Sequence, residues 1–196
     1  MERILDENQP RDQAGFRKGY STTDHIYTLN QVIEKSNEYN LPLCVGFIDY
    51  EKAFYSVEHF AIFDALRKIN INETYVTILE NIYRNASARV HIDNLESEPF
   101  PIHRGVRQGD PISPKLFTAA IEMISRKADL EHGLNVDGET LTNLRFADDN
   151  GFCEYRWSGS SFGKAAGYQV RGQGFESQSG PSQFFIAPCV HPALNG

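Results

Sequence analysis

Asp49 closes the run Val45-Gly46-Phe47-Ile48-Asp49, and Asp148 and Asp149 follow Leu144-Arg145-Phe146-Ala147. Carboxylates at the ends of two separated strands can hold two divalent cations a few ångströms apart. Such a pair of ions clamps both sides of an in-line phosphoryl transfer. Adjacent carboxylates also repel each other, and a cation relieves that repulsion. Between the two acidic signals lies Arg104-Gly105-Val106-Arg107-Gln108-Gly109-Asp110-Pro111-Ile112-Ser113-Pro114. Its Gln108 offers an amide, and Gly109 a place where a base or sugar can approach the backbone closely. Taken singly, each block is ordinary. A lone Asp at a strand end is most often a cap or turn residue, a paired Asp-Asp most often a turn, and the middle block a loop leading into a capped helix. Together and in this order, they point to two-metal phosphoryl transfer of the polymerase kind.

A fourth block, Gln13-Ala14-Gly15-Phe16-Arg17-Lys18-Gly19-Tyr20-Ser21-Thr22-Thr23-Asp24, places two cations just before a helix start. The functional expectation is a phosphate or template contact. A solvated, capped loop is the competing expectation at equal weight.

These residues need elements to position them. Residues 21–39 are expected to be helical, capped by Ser21 to Thr23, with Ile26, Leu29 and Ile33 on one face. Leu41 to Ile48 is an apolar run of strand length and is expected to be buried. Residues 57–69 are expected to be a helix with Phe60, Phe63, Leu66 and Ile69 as its stripe. Tyr75, Ile78, Leu79, Ile82 and Tyr83 predict another helix over 73–85. Ala88 to Ile92 and Glu98 to Ile102 suggest a strand pair around Asp93-Asn94. Ser113 and Pro114 suit the N-cap and first turn of a long helix. Asp137-Gly138 signals a hairpin, and a strand from Leu141 to Phe146 then runs into Asp148. Irregular alternation of helices and strands with a late hairpin predicts an α+β fold rather than a doubly wound parallel sheet.

Composition bounds the rest. The 196 residues fit one domain, or one and a fragment. Cys44, Cys153 and Cys189 are far apart and form no C-x-x-C, which argues against zinc or a disulfide framework and fits a reducing compartment. The charged N-terminus has no apolar core of a signal peptide, and no apolar run reaches membrane-spanning length. The expected location is therefore intracellular, with no K/R-rich run to mark the nucleus. A net charge of −7 is unusual for a protein that holds nucleic acid. Residues 1–150 carry −8 and residues 151–196 carry +1. Residues 151–196 hold eight of the fifteen glycines, few charges and no helical or strand period, and are expected to be a disordered tail.

Four ordered blocks resemble the reverse transcriptase of non-LTR retrotransposons, nearest to the endonuclease-bearing, RTE-like type. "QAGFRKGYSTTDHI" is similar to that family's fingers-to-palm entry. "GFIDYEKAFYSV" resembles its first palm motif, "RGVRQGDPISPKLF" its nucleotide platform and "NLRFADD" its catalytic hairpin. The resemblance covers about residues 8–149 and implies a partial right-hand polymerase, lower fingers and palm. It implies that Asp49, Asp148 and Asp149 are catalytic and hold two Mg²⁺ (or Mn²⁺), with the Tyr50 carbonyl as a further ligand. Backbone N–H groups near Lys52 and Ala53 would meet the triphosphate, and Phe54 would press on the sugar and exclude ribonucleotides. Gln108 and Gly109 would contact the nucleotide and its template partner. Arg17, Lys18, Arg104 and Arg107 would meet nucleic acid. The implied partners are an RNA template, a DNA primer and a dNTP, with no membrane and an oligomeric state left open.

Two departures stand beside this. Relatives have Asp where Tyr55 stands, and nothing after Asp149 resembles the remaining palm or a thumb. The sequence therefore predicts a fragment, with residues 1–150 as fingers and palm and residues 151–196 unrelated. Two functions follow from it. One is an RNA-directed DNA polymerase domain. The other is a catalytically inactive remnant that binds nucleic acid or protein weakly.

Overall fold

Buried β-branched and aromatic residues in the middle of the chain draw two distant segments into one sheet. A computed structural model describes residues 1–127, 133–136, 138–154 and 183–186. Strand β1 (Cys44–Asp49) pairs antiparallel with β9 (Asp149–Glu154), and β9 pairs antiparallel with β8 (Asn143–Phe146). A further strand, β10 (Gln183–Ile186), lies antiparallel on the other edge of β1, so the sheet order is β10-β1-β9-β8. The antiparallel sheet with packed helices is the α+β arrangement expected from the sequence.

Period-2 alternation gives the sheet two different faces. Ile48 and Phe152 point into the main core, with Ile62 and Leu66 of α4 (His59–Lys68), Leu79 of α5 (Glu73–Arg84) and Phe117 and Ile121 of α6 (Ser113–Lys127). Val45 and Cys153 turn to the other side, against Val32 of α2 (Thr22–Glu38), Leu43 and Leu134. α2 begins where Ser21 expects a cap, and the Ser21 N–H donates to the Asp24 carboxylate at 2.8 Å. A short α1 (Glu2–Asn8), which the sequence did not suggest, buries Leu5 and ties to α6 through Lys115 and Asp6.

Several stripes shift on folding. In α5 the buried residues are Val76, Leu79 and Tyr83, while Tyr75, Ile78 and Ile82 of the expected face stand exposed. Phe60 of α4 and Ile26 of α2 are likewise exposed. Each of these helices is covered along only part of its apolar face, and the flank outside that contact stays in water. Residues 87–101 form two small ladders rather than one strand pair. β2 (Ser87–Ala88) pairs with β5 (Phe100–Pro101), and β3 (His91–Ile92) pairs with β4 (Leu95–Glu96). Leu141 belongs to the hairpin of β6 (Leu134–Val136) and β7 (Glu139–Leu141), not to β8.

The expected boundary at residue 150 falls inside β9. Phe152 and Cys153 are buried core residues, and β9 runs to Glu154 between two partners. β10 adds four more residues of the expected tail to the sheet. The rest of 151–196 lies outside the described residues. The cysteines differ from expectation too, since Cys44 is disulfide-bonded while Cys153 is free and buried.

Candidate active site

The ladder between β1 and β9 runs from Cys44 opposite Glu154 to Ile48 opposite Asn150. One step further in the same register brings Asp49 alongside Asp149. Both leave the sheet on the face opposite Ile48 and Phe152, because side chains alternate along each strand. The two carboxylates thus come from segments a hundred residues apart and meet at one end of one sheet face. Phe47, Leu144 and Phe146 continue that face and, with Ile26 and Leu29 of α2, line a cleft of about 340 Å³ that reaches Asp49 and Asp149.

Asp148 sits in the two-residue connection between β8 and β9, where Phe146 pairs with Asp149. The first residue of this connection, Ala147, has φ +57°. Hairpin turns of this length favour positive φ, which usually recruits glycine. An alanine held there stores roughly 1–3 kcal/mol of strain, which the surroundings must offset.

They do so through the segment 12–15. The Ala147 N–H donates to Gln13 Oε1 at 2.8 Å, and Gln13 Nε2 donates to the Ala147 carbonyl at 3.1 Å. The Gly15 N–H shares the same Gln13 oxygen at 2.9 Å. Main-chain bonds extend the contact, from Ala14 N–H to the Arg145 carbonyl at 2.8 Å and from Arg145 N–H to the Asp12 carbonyl at 2.7 Å. Gln9 Nε2 donates to the carbonyls of Gln13 and Gly15, holding the loop from behind. Beneath the turn, Asn150 Nδ2 donates to the Asp148 carbonyl at 3.0 Å.

Arg145, on β8 just before the turn, carries a buried charge. Its guanidinium donates to Asp12 at 2.8 Å, and a Glu122 oxygen lies 2.8 Å away at ion-pair distance without hydrogen-bond alignment. Two acids for one buried arginine is the pairing that burial demands.

The pair at the turn is held in tension. Burial pushes the Asp148 carboxyl upward from the usual carboxylate range, and the nearby Asp149 and Asp49 charges push it further. Asp149 is raised as well, first by burial and then by Asp49. All three charges therefore feel one another. Among the described residues no three His, Cys, Asp or Glu side chains form a ready-made metal cage. The three carboxylates repel one another, and such hard oxygen donors could hold a divalent cation that takes the rest of its coordination from water and phosphate.

The middle block is docked directly on the segment after Asp49. α3 (Ala53–Ser56) starts from Lys52 in a left-handed conformation, φ +51°. Val106 N–H donates to the Phe54 carbonyl and Gly105 N–H to the Val57 carbonyl, both at 2.7 Å. His59 Nε2 lies 3.0 Å from the Gly105 carbonyl. Phe54 stacks on Phe117 at 4.3 Å between centroids and meets Phe16 edge-on at 5.8 Å. Gln108 and Gly109 stay exposed in the turn that follows, with Gly109 at φ +85°. Ser113 is the first residue of α6 rather than its cap, since the Ile112 carbonyl accepts from Lys115 and Leu116 N–H, and Asp110 accepts from the Ile112 N–H at 3.1 Å in the turn before it. Tyr50 is buried in the core, and Tyr55 is exposed.

A model of the reverse transcriptase (RNA-dependent DNA polymerase) family matches residues 1–152. The chain belongs to this family. It is 33% identical over 138 residues to the Pol polyprotein of the type-2 retrotransposable element R2DM of Drosophila melanogaster, covering 70% of this chain and 13% of that protein. It is 31% identical over 137 residues to the Pol polyprotein of an R2 element of Nasonia vitripennis, with the same coverage of each. The chain thus spans about an eighth of the length of these curated relatives. Among solved structures, telomerase from Candida tropicalis in complex with a fragment of telomeric RNA superposes with a TM-score of 0.67 at 14% identity, over 95% of this chain and 32% of that one. Apo telomerase from the same organism gives 0.61 over 85% and 35%. These likenesses show the right-hand polymerase fold, in its fingers and palm part.

Within this reverse transcriptase domain the expected nucleic-acid contacts are partly taken by the protein. Arg17 donates to the carbonyls of Gln9 and Pro10 and lies 4.4 Å over the Tyr20 ring. Arg107 reaches the Ile82 carbonyl and lies 5.8 Å over Tyr83. Arg104 pairs by backbone with Glu58, leaving Lys18 the most open of the four. The residues that the sequence did not single out are Asp12, Gln13, Gly15, Glu122, Arg145 and Ala147. Gln13 and Gly15 lie in a block whose local signal is its cations, and no local pattern pairs them with a turn 134 residues away.

Proposed function

We propose that this domain carries out RNA-templated DNA synthesis at the Asp49, Asp148 and Asp149 carboxylates. The observation that supports this most directly is the β1–β9 register, which runs Asp49 alongside Asp149 at one end of a sheet face. Asp49, Asp148 and Asp149 would hold two divalent ions, with the Tyr50 carbonyl as a further oxygen. When bound, Mg²⁺ or Mn²⁺ supplies Lewis-acid activation of the attacking oxygen and charge neutralisation at the leaving group. The primer 3′-hydroxyl oxygen bonds to the α-phosphorus of a dNTP, and pyrophosphate leaves from the opposite side. The backbone about Lys52 and Ala53 would face the triphosphate, Phe54 the sugar, and Gln108 and Gly109 the base pair being formed. Template RNA and primer would lie over the Phe47–Phe146 face. The likeness to R2 proteins and to a telomerase solved with RNA supports nucleic acid as the partner.

A weak binder without catalysis is the second reading. It is favoured by the acidic charge and by the prior engagement of Arg17 and Arg107. Primer extension on an RNA template with the full chain, dNTPs and Mg²⁺ separates the two. The polymerase reading expects short products that vanish in Asp148→Asn. Retained nucleic-acid binding with equal background in both proteins would favour the binder.

A further inference from the structure

We propose that Gln13 is a positioning residue for the carboxylate pair, holding the Ala147 backbone in the conformation that aims Asp148 and Asp149. This rests on the polymerase reading above and adds to it a residue from outside the catalytic blocks.

The side-chain amide uses both of its ends on one residue. Oε1 accepts the Ala147 N–H and Nε2 donates to the Ala147 carbonyl. Such a two-point grip fixes the peptide planes on either side of Ala147, and therefore its φ and ψ. The grip matters because Ala147 is at φ +57°, a region that an L-residue leaves when released. A hairpin turn that relaxes there would swing the next residue, Asp148, and shift Asp149 at the head of β9.

The surroundings are shaped to this contact. Gln13 is buried to 1% exposure, so its amide has no competing water. A Cβ on Gly15 would stand 2.2 Å from the Ala147 nitrogen and 2.9 Å from Gln13 Oε1. Only glycine at position 15 lets the two segments approach this closely. Gln9 then anchors the same loop from behind. A glutamine serving merely as core filler would not need both amide ends on one strained residue.

The test uses the full chain and Mn²⁺ as the probe, with free Mn²⁺ counted by its paramagnetic resonance. The unchanged chain should take up Mn²⁺ and Asp148→Asn should not, which tests the polymerase reading by itself. Gln13→Ala should weaken Mn²⁺ binding about tenfold while circular dichroism stays that of a folded chain. Ala147→Gly added to Gln13→Ala should recover affinity to within about threefold of the unchanged chain, because glycine accepts positive φ unaided. Gln13→Glu keeps the acceptor and loses the donor, so it should fall between the two, and it serves if Gln13→Ala does not fold. Unchanged Mn²⁺ affinity in Gln13→Ala, or no recovery on adding Ala147→Gly, overturns the proposal. If the unchanged chain takes up no Mn²⁺, the metal reading fails. The clamp is then judged by amide hydrogen exchange at Ala147, which must accelerate at least tenfold in Gln13→Ala or the proposal falls as well.

Discussion

A Cβ placed on Gly105 would stand 2.8 Å from the Tyr55 carbonyl oxygen. The loop that carries Gln108 is thus seated against α3, directly after Asp49, with no room for a side chain between them. Gly105 also sits at φ +86°, where an L-residue is strained. Gly105→Ala should lower stability by roughly 2 kcal/mol, from the strain and the backbone clash together. Urea denaturation would register this as a lower midpoint at constant slope. An unshifted midpoint would mean that the loop is not seated on α3.

The raised carboxyls at the turn set a pH dependence. Asp148 and Asp149 both sit above their unfolded values in the folded chain, through burial and mutual repulsion. Their protonated forms therefore favour folding. That contribution is fully present below the unfolded carboxylate range and is lost as pH rises through the folded values. In metal-free buffer at pH 7, Asp148→Asn and Asp149→Asn should raise the melting temperature. The gain should shrink on acidification through the carboxylate range. A melting temperature that falls in both variants at pH 7 contradicts the repulsion.

Arg145 is 3% exposed and lies between Asp12 and Glu122. Removing one acid leaves its charge half compensated, and removing both strands it. Asp12→Ala together with Glu122→Ala should cost on the order of 3 kcal/mol or more. The double loss should exceed the sum of the single ones, which a double-mutant cycle in chemical denaturation measures. Additive losses would show that the three groups do not form one network.

Phe54 joins the two halves of the site by stacking on Phe117 and meeting Phe16. Phe54→Val should remove about 1–2 kcal/mol of stability through those ring contacts. On the proposed polymerase reading it should also admit ribonucleotides in primer extension, since the smaller side chain would no longer exclude the 2′-hydroxyl. A destabilised variant with unchanged sugar selectivity would confine Phe54 to packing.

The sequence disclosed what is local. Caps, helical periods and strand ends placed α2, α4, α5, α6 and β1 within a few residues, and Asp49 and Asp148 at their strand ends. It did not disclose which flank of α5 would find a neighbour, because Val76, Leu79 and Tyr83 satisfy the helical period as well as Tyr75, Ile78 and Ile82 do. Partner choice is decided by the rest of the chain. The clamp of Gln13 on Ala147 was invisible for the same reason, since a buried amide and a strained alanine carry no mark of each other. β10 had no alternating pattern to announce it, and it joins the sheet through backbone hydrogen bonds, which any residue but proline can supply. Arg17 and Lys18 share one local signal, for a nucleic-acid contact or a solvated loop alike, yet the structure engages the first with its own loop and leaves the second exposed.

The β1–β9 ladder also dictates when the site can exist. Ile48 must find Asn150 across more than a hundred intervening residues, and Gln13 must find Ala147 across more still. Closing such long loops is slow compared with forming helices, whose contacts are local. During synthesis, α2, α4 and α5 have emerged from the ribosome well before any partner for β1 has been made. Asp49 and Asp149 therefore come together only after the polypeptide has been translated through β9. Until then β1 waits with an unpaired edge, and that interval is when this chain is most exposed to misassembly.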